Sequence, residues 1–142
     1  MGKVSGILQT KGNQVFSVEP DVTVYRAIEI MCEKNIGGLL ITDKGKLTGI
    51  FTERDYARKL ILKGKSSKDT LIRELMTPNP FTVTPENSIE DCMGMMVNKH
   101  IRHLPVVEGD QLVGMISIGD VVRTIIDEQK SIIEHLQSYI TQ

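Results

Sequence analysis

Two pairs of apolar runs of strand length recur along the chain. The first pair is Leu39-Leu40-Ile41 and Leu47-Thr48-Gly49-Ile50-Phe51; the second is Leu104-Pro105-Val106-Val107 and Leu112-Val113-Gly114-Met115-Ile116. A short polar stretch separates the members of each pair, Asp43-Lys44-Gly45 in the first, which predicts two hairpins of buried strands. Ahead of the first hairpin Val24, Ala27, Ile28 and Met31 recur at helical spacing behind Thr23 as N-cap. Ahead of the second, Ile89, Met93 and Met96 do the same behind Ser88. A second helix follows each hairpin: one opened by Thr52 and running through Tyr56, Leu60 and Ile61 to Gly64, the other opened by Ser117 and carrying Val121, Val122, Ile125 and Ile126. Val15-Phe16-Ser17-Val18 adds a short strand in front.

This recurrence is an internal duplication. A shift of 65 positions lays Phe16 to Ile61 on Phe81 to Ile126 without a gap, pairing Val18 with Val83, Pro20 with Pro85, Met31 with Met96, Gly49 with Gly114 and Asp55 with Asp120. The expected division is a first unit over 1–66 that includes the N-terminal segment, a linker over 67–80, a second unit over 81–127 and a C-terminal helix over 128–142. Three short strands cannot cover their own sheet, so the two units are expected as a pseudo-two-fold pair. Beyond the repeat Ile132, Ile133, Leu136 and Ile140 keep helical spacing, a stripe that needs a covering surface from this chain or from a second copy.

Composition narrows the classes of function. With 17 Lys+Arg against 18 Asp+Glu the formal net charge is -1, so no broad field draws nucleic acid or an anionic membrane. Aromatic residues make up 4% and Trp is absent, which disfavours stacking platforms. No apolar run approaches the roughly 20 residues of a membrane span, and a cytoplasmic, reducing setting is expected. Cys32 and Cys92 are read as buried structural thiols, and no metal site is expected. No nucleophile with a base is visible, so an enzyme is not expected.

Candidate chemistry falls at the two strand-to-helix junctions, Gly49 to Asp55 and Gly114 to Asp120. Both have the form Gly-apolar-apolar-Ser/Thr-x-x-Asp. Open N–H groups at a helix start suit a phosphate, with Thr52 or Ser117 as an added donor, and the glycine gives a ligand access to the backbone. Asp55 and Asp120, one turn along, are placed to accept from the two hydroxyls of a ribose. The same pattern is also a plain capping box. Arg102 and His103, just before a buried strand, offer cationic donors to phosphate; their counterparts are Gly37 and Gly38, so the two sites differ in charge.

With Phe-x-Val-x-Pro in both copies, the two junction motifs and Leu75-Met76-Thr77-Pro78 between them, the chain resembles the tandem CBS-domain pair, or Bateman module. The resemblance implies an α/β (α+β) fold of two β-α-β-β-α units packed sheet to sheet with an extra C-terminal helix. It also implies an adenosine ligand such as AMP, ADP, ATP, NAD or S-adenosylmethionine in the inter-repeat clefts, and a homodimer. Carried over, Asp55 and Asp120 hold ribose, Thr52 and Ser117 phosphate or ribose, Arg102 and His103 phosphate, and Ile36 and Ile101 line the adenine slot. The expected role is sensing of energy or redox state, passed to an effector protein; some stand-alone plant members are regulators of thioredoxin. The alternative is a structural or protein-interaction dimer with no physiological ligand.

Overall fold

A computed structural model describes residues 2–12 and 14–141. They form two compact units, one of residues 14–81 and 109–112, the other of residues 2–12, 82–108 and 113–141.

The elements are α1 (Val4–Lys11), β1 (Ser17–Val18), α2 (Val24–Lys34), β2 (Gly38–Asp43), β3 (Lys46–Thr52), α3 (Glu53–Asp55), α4 (Ile72–Leu75), β4 (Thr77–Pro78), α5 (Ile89–Lys99), β5 (His103–Glu108), β6 (Gln111–Ser117) and α6 (Ile118–Ile140), with a π-helical stretch Tyr56–Ile61 continuing α3. The expected caps are present. The Thr23 hydroxyl accepts the Arg26 N–H at 3.1 Å, and the Ser88 hydroxyl accepts the Asp91 N–H at 3.0 Å.

In the first unit β1 runs parallel to β2, β2 and β3 form the predicted hairpin with Gly38 opposite Thr52, and the sheet order is β1-β2-β3-β4. Strand β4 comes from the stretch expected to be linker; it pairs antiparallel with β3 through Gly49 and Ile50. The core gathers Val24, Ala27, Met31, Leu39, Ile41, Phe51, Leu60, Ile72 and Leu75. In the second unit β5 pairs with β6, Val83 makes a parallel bridge to Val106, and the core comprises Val4, Ile7, Leu8, Val83, Ile89, Cys92, Met96, Leu104, Val106, Ile116 and Val121.

The duplication is longer than the 65-residue register reveals. Lys3 bridges Ser88 just as Leu71 bridges Thr23. The Val4 N–H donates to the Asn87 carbonyl as the Ile72 N–H does to Val22, and Ser5 donates to Pro85 as Arg73 does to Pro20. Lys3 to Leu8 therefore matches Leu71 to Met76 at a shift of 68, three residues out of step with the rest. The segment that precedes each repeat in sequence packs in the unit of the other repeat. The N-terminal segment, grouped with the first unit on sequence alone, thus belongs in space with the second.

Gly49 and Gly114 serve this packing. A Cβ on Gly49 would lie 2.5 Å from the Met76 sulfur and 3.1 Å from the Thr77 carbonyl; one on Gly114 would lie 2.7 Å from Cδ2 of Leu8. The two glycines admit the covering segments rather than a ligand, which corrects the sequence reading.

Other expectations change as well. The helix after Thr52 widens into the π stretch, with Leu62 donating to Ala57 and Lys65 to Leu60, five residues back in each case. Ile61 and Ile126 are exposed, so this repeated isoleucine marks an outward face. The C-terminal helix is not separate: α6 is continuous over 23 residues from Ile118. Cys92 is buried, but Cys32 is exposed, because its counterpart is the exposed Val97 whereas Cys92 matches the buried Ala27.

Two outcomes are expected. Gly49→Ala destabilises by about 1–3 kcal/mol and more than Gly114→Ala, measured by urea unfolding, since a backbone carbonyl gives way less readily than the tip of a leucine. Burial, helped by the charge of Asp91, pushes the Cys92 thiol up to about 11, so iodoacetamide at neutral pH labels Cys32 and spares Cys92 in the folded protein.

Candidate functional site

Each junction is held by the same backbone bond. The Glu53 N–H donates to the Gly37 carbonyl at 3.2 Å, and the Ile118 N–H donates to the Arg102 carbonyl at 2.8 Å. The third helical N–H is also spent: Asp55 donates to the Thr52 hydroxyl at 3.3 Å and Asp120 to the Ser117 hydroxyl at 3.2 Å. The expectation of open N–H groups for a phosphate therefore fails at both of these positions, where capping takes them.

The carboxylates close the capping boxes in return. Oδ2 of Asp55 accepts the Thr52 N–H at 3.0 Å, and Oδ2 of Asp120 accepts the Ser117 N–H at 2.8 Å. Both side chains are only about one-tenth exposed, 12% and 11%, and each meets a lysine. Lys59, one turn further along the same helix as Asp55, reaches its Oδ1 at 3.1 Å and also donates to the Leu75 carbonyl and the Thr77 hydroxyl. Its counterpart in the second unit is Thr124, whose hydroxyl turns to the Asp120 backbone carbonyl. There the cation is Lys11, at the end of α1, 2.7 Å from Oδ2 of Asp120 and 2.8 Å from the Met115 carbonyl. Burial works against the charge of Asp120, yet bonds from Lys11 and Ser117 hold its carboxyl below the usual carboxylate range.

The two sites are not equivalent. Asp55 has both oxygens engaged, because Thr77 donates to Oδ1 at 3.3 Å beside Lys59. Oδ1 of Asp120 meets only the Arg123 guanidinium at 3.5 Å among its described contacts. Arg102 and His103 border this second junction through the Arg102 carbonyl; the Arg102 side chain is exposed and His103 is half-buried.

Ile36 and Ile101 take matching places. Each follows a residue in the left-handed region, Asn35 at φ 53° and His100 at φ 56°. Each also donates its N–H five residues back, to Met31 and Met96, closing the helix in a Schellman motif. Both side chains are partly buried against their own unit's core. Lys11 and Lys59 escaped the sequence reading: Lys59 stands at i+4 from Asp55, a visible spacing, whereas Lys11 lies 109 residues from Asp120 and carries no such signal.

The family model of the CBS domain matches residues 4–62 and 72–127. The CBS domain-containing protein CBSX3, mitochondrial, of Arabidopsis thaliana is 38% identical over 96% of this chain and 71% of its own length. A putative signal-transduction protein with CBS domains from Burkholderia ambifaria is 44% identical with a TM-score of 0.86, covering 89% of this chain and 96% of that one. Two relatives have been seen with ligands. CBSX2 in complex with AMP is 28% identical at a TM-score of 0.72, covering 91% and 99% of the respective chains. The CBS domain pair of protein MJ0100, in complex with 5-methylthioadenosine and S-adenosyl-L-methionine, is 27% identical at 0.79, covering 90% and 98%. The chain belongs to the CBS domain family and carries that domain twice.

Proposed function

We propose that this protein is a non-catalytic regulatory module that binds an adenosine nucleotide, AMP above the other adenine compounds, and passes its occupancy to a partner protein as a signal of energy or redox state. One observation carries the reading. A partly desolvated carboxylate stands at the same register of both repeats, within a family whose relatives bind AMP and S-adenosyl-L-methionine. Asp120 is the principal ribose acceptor, because Oδ1 retains acceptor capacity that Asp55 has spent. Arg102 and His103 supply phosphate donors at the same junction, Ser117 and Thr52 flank the sugar, and Ile36 and Ile101 face the base. A reducing compartment suits the two free thiols, and both the cytoplasm and the mitochondrion that one relative's name specifies meet that condition. No described helix is long and apolar enough to cross a membrane.

The protein acts as a homodimer in this reading. Ile132, Ile133, Leu136 and Ile140 are each more than half exposed, and every described residue of α6 beyond Glu128 is exposed. A lone amphipathic helix of this length is marginal in water, so a second copy is the natural cover. The same surface favours the second reading, a protein-interaction dimer with no physiological ligand.

A thermal-shift titration with AMP, ATP, NAD and S-adenosylmethionine, each beside its 2′-deoxy form where one exists, separates the two. A ligand that binds the folded state alone raises the melting temperature as its concentration passes Kd. The expected result is a ribose-dependent rise that Asp120→Asn abolishes; no rise at millimolar concentration from any of the four overturns the sensor reading. Independently, light scattering after gel filtration is expected to show a dimer for the parent chain and a monomer for Leu136→Glu, whose buried charge the interface does not tolerate.

A further inference from the structure

Helix α1 is fastened to its unit at both ends and along its length. Gly2 donates to Glu128 at 2.9 Å, Lys3 pairs with Glu86 at 2.9 Å, and Val4, Ile7 and Leu8 are buried in the core. At the far end the Lys11 ammonium sits on Asp120 and on the Met115 carbonyl.

A carboxylate offers about four acceptor positions, two on each oxygen. On Oδ2 of Asp120 the Ser117 N–H and Lys11 fill both. A ribose that engages the carboxylate through both of its hydroxyls needs one position on each oxygen, and Oδ2 has none while Lys11 stays in place. Resting on the proposed ribose role of Asp120, we infer that Lys11 is a specificity-determining residue of the second repeat: an intramolecular occupant of the sugar site that a ligand must displace.

The contrast with the first unit supports displacement rather than permanent neutralisation. Lys59 is carried by the helix that carries Asp55 and is fixed by two further acceptors, Leu75 and Thr77. Lys11, as exposed as Lys59, has one further acceptor, the Met115 carbonyl, sits on the last turn of a different element, and is followed by Gly12 at φ 91°. It can leave Asp120 while Val4, Ile7 and Leu8 keep α1 docked. Release costs one ion pair, exposed on the lysine side and nearly buried on the aspartate side, and one backbone contact, so a ligand that displaces Lys11 must itself donate to the carboxylate.

The test is calorimetric titration of the full chain with adenosine, which has the ribose and no phosphate, and with AMP, at low and at high ionic strength. Lys11→Met is compared with the parent and with Lys3→Met, which removes the same charge from the other end of α1. The expected result is that Lys11→Met binds both compounds at least about twofold tighter, the least that even an exposed pair would give, while Lys3→Met is unchanged. Adenosine affinity of the parent rises with salt as the lock is screened, and that of Lys11→Met does not. Weaker AMP binding with unchanged adenosine binding would make Lys11 a phosphate contact and overturn the lock, as would unchanged affinity for both. Binding of neither compound by parent or variant removes the ribose reading itself, and the lock with it.

Discussion

A carboxylate that is nine-tenths removed from water must be compensated from within the chain, and Asp55 and Asp120 impose that demand at the same place in each repeat. Desolvation of an ion costs several kcal/mol unless hydrogen bonds and an opposite charge answer it. The capping box answers part, with one backbone N–H bonded to each carboxylate. A lysine answers the rest, and the two repeats find it differently. The first takes Lys59 from its own helix, where the π stretch begins directly after Asp55. The second has Thr124 at that position and draws Lys11 from α1.

The same α1 completes the second core, so charge compensation and apolar burial depend on one element. Neither repeat, as delimited by the ungapped 65-residue register, contains its whole core: the first lacks Ile72 and Leu75, the second Val4, Ile7 and Leu8. Each covering segment enters over a glycine, Gly49 or Gly114, because any larger residue would meet Met76 or Leu8. Val4 reaches Asn87 across more than eighty residues, so the second unit closes only after a long loop has been ordered. Folding of either repeat's span without its covering segment is disfavoured.

The hairpins, the helices behind Thr23 and Ser88, and the paired junction motifs were legible in the sequence, because periods of 2 and 3.6 and capping chemistry act over a few residues. The covering role of Lys3 to Leu8 was not. Its match to Leu71 to Met76 is three residues out of register with the rest of the duplication and rests on apolar type rather than identity, Val4 for Ile72 and Ile7 for Leu75. At the junctions the caps were legible, and the backbone donors were misread. Gly-x-x-Ser/Thr-x-x-Asp suggested open N–H donors; folding spends the first on a carbonyl of the preceding loop or strand and the third on the cap hydroxyl. Burial of Cys92 but not Cys32 was available from the repeat itself, since position 92 matches Ala27 on the inner stripe and position 32 matches Val97 on the outer face.

Duplication makes two copies of a junction, and divergence at single positions then decides which copy keeps a free hand. In the first unit Gly37 and Gly38 offer no side-chain donor, Thr77 and Lys59 close Oδ1 of Asp55, and the compensating cation is held by two further acceptors, the Leu75 carbonyl and the Thr77 hydroxyl. In the second, Arg102 and His103 add donors, Oδ1 of Asp120 keeps a weak 3.5 Å contact with Arg123, and the cation rides on a separate helix. Substituting Lys at 59 by Thr at 124 is the step on which this turns. It removes the counter-charge of the same helix and leaves the carboxylate dependent on a lysine from another element; under the proposed ribose role, a ligand at Asp120 would therefore be coupled to the last turn of α1.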